Sequence, residues 1–170
     1  VVEPVDAVFS RFGVMFFAEP TAAFTHLRSV ARAGGRLAFC AWQDPFANPW
    51  MIAPVMAAVP VIGPPQLPEP GAPGPFSLAS PDAVRALLTR AGWSSVQVEG
   101  LALERPFPAG DARATARMMC RTNPMLAAGL REHPERRDEL LAAVADGLGE
   151  YVDGDAVVFA AAAWIVSAGA

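Results

Sequence analysis

The chain has 170 residues, a net charge of −4 from 13 basic and 17 acidic residues, and 53% hydrophobic against 18% charged residues. That is too apolar for a disordered chain and ample for a core of one domain. All 13 basic residues are arginine, which excludes a phosphate-loop lysine and a Schiff-base lysine, and the acidic balance argues against a nucleic-acid module.

Val5 to Phe9 is a short apolar run with β-branched and aromatic residues and reads as a buried strand. Ser10-Arg11-Phe12-Gly13 breaks it. Glu19-Pro20 looks like a helix start, with proline at the first helical position. Ala23, Leu27, Val30 and Ala31 then share a helical face, and Gly34-Gly35 is expected to stop the helix. Arg36 to Trp42 follows as a second buried strand. A strand–helix–strand unit this tight implies a parallel pair with a right-handed crossover.

Ten of the 17 prolines fall between Pro45 and Pro75. The stretch 43–76 therefore reads as a proline-rich loop, either a lid or a passive surface excursion, interrupted by a short apolar helix from Trp50 to Val59. Ser80-Pro81 is a helix start with Ser80 as N-cap, and Gly92 is the matching stop. Val96 to Glu99 alternates as a third strand. Within 105–150, Asp111 caps a helix running to about Arg121, and Pro134 opens another running to about Leu148. Val157 to Val166 reads as a last strand, although Ala160 to Ala163 has helical propensity. The order is that of an α/β fold.

Few residues declare chemistry. Gly147-Leu148-Gly149 follows a helical pattern instead of a strand, so it reads as a helix end and not as a nucleotide loop. His26 and His133 lack metal-pair spacing, Cys40 and Cys120 lack a CxxC partner, and no metal site is expected. The opening residues carry acids where a signal peptide would be basic, so a cytoplasmic protein is expected, with no membrane span. Ligands of open α/β sheets sit beyond the carboxyl ends of strands. That places Ser10, Arg11 and Phe12 on a candidate rim. Trp42 either lines the pocket or simply packs.

The stretch Asp6-Ala7-Val8-Phe9-Ser10-Arg11-Phe12-Gly13-Val14-Met15-Phe16-Phe17, then Glu19-Pro20, Gly34-Gly35 and RLAFCAW, resembles the latter half of a class I S-adenosylmethionine-dependent methyltransferase. Within that family it is similar to the small-molecule branch that includes the ubiquinone and menaquinone methyltransferases. The helix from Pro81 to Gly92 and the end Ala162 to Ala168 fit the same family. The resemblance implies a partial Rossmann-like three-layer fold. Strands four to seven of a seven-stranded sheet would be present in the order 4-5-7-6, the last antiparallel, and the first three would be missing. The chain would be a single incomplete domain over 1–170, with 105–150 a helical insertion.

The same resemblance implies S-adenosylmethionine as cofactor and a small-molecule methyl acceptor. It places Ser10, Arg11, Phe12 and Met15 beside the cofactor, and Phe16, Trp42 and Trp50 beside the acceptor. No catalytic residue is identified. The glycine-rich loop and the ribose-binding acid of the family have no match in these residues. A fragment is therefore expected, completed by an N-terminal half or by another chain. The alternative is a non-catalytic half-domain or interaction subunit.

Overall fold

The computed structural model describes residues 3–65, 69, 72–107 and 111–170, apart from the side chain of Arg105. In chain order the elements are β1 (Val5–Arg11), α1 (Pro20–Val30), β2 (Ala31–Trp42), α2 (Pro49–Ile62), α3 (Pro81–Arg90), β3 (Ser94–Phe107), α4 (Ala112–Thr122), α5 (Pro124–Glu132), α6 (Arg137–Gly147), β4 (Val152–Asp153) and β5 (Ala156–Gly169). The strands form one sheet in the order β1-β2-β5-β3, with β4 paired to β5. β1 and β2 are parallel, as the strand–helix–strand pattern requires, and β5 runs antiparallel to β2. The chain divides into two compact units. Unit 1 comprises Val1–Pro45, Glu69–Ala102 and Ala162–Ala170; unit 2 comprises Phe46–Pro68 and Leu103–Ala161.

In unit 1, Leu37, Phe39 and Ala41 of β2 are buried, and so are Val166 and Ala168 of β5. Phe24 of α1 is fully buried and its ring meets Phe39 at 5.5 Å. The apolar periodicity of α1 points to Ala23 and Leu27, but Phe24 is the residue the helix commits to the core. α3 follows its sequence signals closely. Pro81 takes the first helical position, and Ser80 Oγ accepts the Ala83 N–H at 3.3 Å. Trp93 then donates its indole N–H to the Phe24 carbonyl at 3.0 Å, tying α3 to α1.

Gly34-Gly35 does not stop α1. The helix ends at Val30, and both glycines lie inside β2. The β1–β2 register jumps from Val5↔Ala31 to Ala7↔Arg36, so the glycines sit in a bulge. Gly34 has φ +79, and a Cβ on Gly35 would stand 2.9 Å from the Arg32 carbonyl oxygen. Glycine is required there by the bulge, not by a helix end.

In unit 2, α2 carries no polar side chain and contains Pro54 and Pro60. The stretch 43–76 is therefore not held extended throughout, although the expected loop positions 66–68 and 70–71 lie outside the described residues. Each internal proline removes a helical hydrogen bond. Burial of Val55, Ala58 and Val61 in a core with Met119, Leu140 and Val144 outweighs that penalty. β3 runs on to Phe107, beyond the short strand expected at Val96 to Glu99. Between Asp111 and Pro134 there are two helices, not one. Asn123 ends α4 through its N–H to the Met119 carbonyl. It also caps α5, its Oδ1 accepting the N–H of Met125 at 3.0 Å and of Leu126 at 3.4 Å. Pro134–Arg136 is a 3-10 turn leading into α6, and Gly147 closes α6. β5 is strand throughout, burying Val157, Phe159 and Ala161 within this unit.

Candidate functional site

Parallel β1 and β2 bring Phe12 and Trp42 together at their carboxyl ends. The Phe12 N–H donates to the Cys40 carbonyl at 3.2 Å, extending the ladder past Arg11. Phe12 then takes a left-handed backbone, φ +58, uncommon for a side chain of that bulk. This turns its ring onto Trp42, with centroids 4.1 Å apart and planes 15° from parallel. Trp42 is itself 8% exposed.

The chain then makes a 3-10 turn, Val14–Phe16. Met15 is 2% exposed, and its sulfur accepts the Trp42 backbone N–H at 3.4 Å. The Met15 carbonyl accepts the Gly74 N–H at 3.0 Å and the Ser77 hydroxyl at 2.6 Å. Met15 is thus a packed post that anchors residues 74–77 to the site. Ser10 is half-buried, and its Oγ lies 3.2 Å from where a Cβ on Gly13 would stand. Arg11 is exposed, and Phe16 is 56% exposed on the rim. Beyond Trp42, Gln43 donates its backbone N–H to the Ala162 carbonyl at 3.0 Å and its side-chain Nε2–H to the Ala163 carbonyl at 2.8 Å. Gln43 and Ser77 carry no local sequence signal; their partners lie 120 and 62 positions away.

Trp42 is therefore in contact with both Phe12 and Met15, with Ser10, Arg11 and Phe16 flanking them in sequence. Trp50 belongs to unit 2. There its indole N–H donates to Asn48 Oδ1 at 3.1 Å, and with Met51, Phe107 and Met119 it lines a cavity of about 190 Å³. Of Ser10, Arg11, Phe12, Met15, Phe16 and Trp42, only Arg11 is charged at neutral pH, so none of these six is a general base. Among the described residues no group of three or more His, Cys, Asp and Glu could hold a metal ion. Nor is any helix among them long and apolar enough to cross a membrane.

Solved structures that match almost the whole chain include two with a TM-score of 0.50 or more. One is BH2331 of Bacillus halodurans C-125, a provisionally assigned methyltransferase, at 14% identity and a TM-score of 0.51. The other is the YcgJ protein of Bacillus subtilis, at 12% identity and a TM-score of 0.50. Each covers 98% of this chain, and the chain spans 64% of the length of each. The fold is methyltransferase-like. A further match, to phosphoethanolamine N-methyltransferase 2 of Haemonchus contortus in complex with S-adenosyl-L-methionine, has 13% identity and a TM-score of 0.40, covering 96% of this chain and 33% of that one. No family model matches the sequence, and no curated protein matches it significantly.

Proposed function

We propose that this chain is part of an S-adenosylmethionine-dependent methyltransferase acting on a small, apolar or aromatic acceptor. The observation that carries the reading is the strand order β1-β2-β5-β3 with β5 antiparallel to β2. It supports the assignment of β1, β2, β3 and β5 to strands four, five, six and seven of the family's sheet, with strands one to three supplied from outside these residues.

The residues at the β1–β2 end fit the methionine portion of the cofactor. Arg11 can pair with its carboxylate, Ser10 can hydrogen-bond to it, and the half-buried Phe12 ring, backed by Trp42, can offer its outer face to a sulfonium cation. No acid among them can hold the ribose. When bound, the cofactor supplies a methyl group already activated by the positive sulfur. What the protein adds is then alignment and exclusion of water, which suits a site without a base. Phe16 and Trp42 are assigned to the acceptor side, and Trp50 of the proline-rich stretch is the further residue assigned to acceptor turnover.

Calorimetry with S-adenosylmethionine, on the chain extended through its upstream coding sequence, tests this reading. Binding supports it, and absence of binding in the extended chain sinks it. In that protein Trp50→Ala should weaken acceptor turnover more than cofactor binding. Equal loss of both removes Trp50 from the acceptor side. A second reading, a non-catalytic half-domain that docks on a partner, is favoured by Phe9, 73% exposed on the edge strand β1. An upstream sequence without a strand and glycine-rich loop decides for it, whereas co-purification of a chain that supplies the missing strands returns the decision to the first reading.

A further inference from the structure

Unit 2 contains a cavity of about 570 Å³ between α4, α5 and α6. Arg117, Arg121 and Arg137 line it, with Met118, Leu130 and Leu141 among its apolar residues. No carboxylate lines it. Arg117 and Arg121 stand four positions apart and so share a face of α4, a helix with three arginines and no acid. Arg137 opens α6, where the helix dipole disfavours a cation.

The ion pairs of this unit lie elsewhere, His133 with Glu135 and Arg136 with Glu139. Among the described residues none of the three cavity guanidiniums has an ion pair or side-chain hydrogen bond. All three arginines are solvent-exposed, and their like charges stand around one half-open hollow with no carboxylate among its lining residues. Solvated surface arginines ordinarily alternate with acids along a helix face, and α4 has none to alternate with. The hollow falls within the roughly 300–1,000 Å³ range of small-molecule sites.

We propose that this cavity binds a small amphipathic anion, a carboxylate or phosphate ester carried on an apolar body. The guanidiniums of Arg117, Arg121 and Arg137 would take the anionic head, whose planar or tetrahedral oxygens suit their forked donors. The apolar lining would take the body. The site lies wholly within unit 2 and does not depend on the methyl-transfer reading.

The test is calorimetry on the 170-residue chain with decanoate, decyl phosphate and decanol, each below its micelle concentration. Decanoate or decyl phosphate should bind at least about tenfold more tightly than decanol, since each charge-assisted hydrogen bond is stronger than a neutral one. Raising salt from about 50 mM to about 500 mM should weaken the anions and leave decanol unchanged. The double variant Arg117→Gln, Arg121→Gln should lose the preference for the anions, with its urea midpoint checked against the parent. Should that variant not fold, the salt series on the parent chain decides alone. Equal affinity for the anions and decanol overturns the proposal. So does absence of binding, an unchanged preference in a folded double variant, or binding only to vesicles containing phosphatidylglycerol.

Discussion

The Phe12–Trp42 pair can be dissected with three variants, Phe12→Ala, Trp42→Ala and both together. The rings lie 4.1 Å apart and 15° from parallel. Such a pair contributes about 0.5–1.5 kcal/mol beyond the burial of each ring. Trp42 is 8% exposed, so its truncation alone should cost about 3–5 kcal/mol. Phe12 is half-buried, and its truncation should cost about half as much. The double variant should then fall short of the sum of the singles by about 1 kcal/mol.

The backbone adds an independent check. Phe12 sits at φ +58, where any side chain costs about 1–2 kcal/mol and glycine nothing. Glycine normally loses about 0.4–1 kcal/mol to alanine through unfolded-state entropy. The balance is that Phe12→Gly should be more stable than Phe12→Ala by about 0.5–1 kcal/mol, the reverse of the usual order. Urea unfolding followed by far-ultraviolet circular dichroism reads both quantities without relying on the mutated indole. Additivity of the two truncations within about 0.3 kcal/mol would refute the stack, and alanine above glycine would refute the strained backbone.

A Cβ on Gly147 would lie 2.4 Å from the Ala57 Cβ, while one on Gly149 would meet open space. Gly147→Ala should therefore lose about 1–3 kcal/mol and Gly149→Ala almost nothing, as read from urea midpoints. Asn123→Ala removes the cap of α5 and the Nδ2–H donated to the Met51 carbonyl at 3.3 Å. It should cost about 1–2 kcal/mol, and Asn123→Ser should recover part of that through its hydroxyl cap. Burial pushes the Cys120 thiol up from 9.0 to about 11, partly countered by the Arg137 charge. Between those values the unfolded chain has lost its proton and the folded chain keeps it. Stability should thus fall by about 1.4 kcal/mol per pH unit between pH 9.0 and about 11 and be independent of this group below and above that window. In Cys120→Ala that slope should disappear from thermal melts taken across the same range.

Wherever a single local energy governs, the sequence was enough. The Ser80 hydroxyl meets a bare N–H three residues on, and Asp111 does the same for α4. Pro20 and Pro81 open helices because the first turn has no hydrogen bond to lose. The parallel β1–β2 pair follows from one helix between two apolar runs, and it alone carried Phe12 to Trp42. The SRFGVMFF stretch carried the methyltransferase resemblance, and the fold agrees with it.

The tertiary structure decided whatever depended on a distant partner. Gly34-Gly35 reads in the sequence as a helix stop, and only the register against β1 makes it a strand bulge. The apolar helix expected over Trp50 to Val59 is present and runs further, over Pro49–Ile62, and it is the core around Val55 and Ala58 that holds it against Pro54 and Pro60. Asn123 is an ordinary turn signal until α4 and α5 pack on either side of it. The resemblance alone sets Met15 beside the cofactor; the tertiary structure adds that its carbonyl and sulfur accept from Gly74, Ser77 and Trp42. The three arginines of the unit 2 cavity look like scattered surface charge in the sequence, because Arg137 lies 16 positions beyond Arg121 and nothing local brings them together. Capping and periodicity act over three or four residues and can be read from a string. Closure of a bulge, a proline-containing helix or a cavity is decided by contacts across dozens of residues, and those energies exist only once the chain has folded.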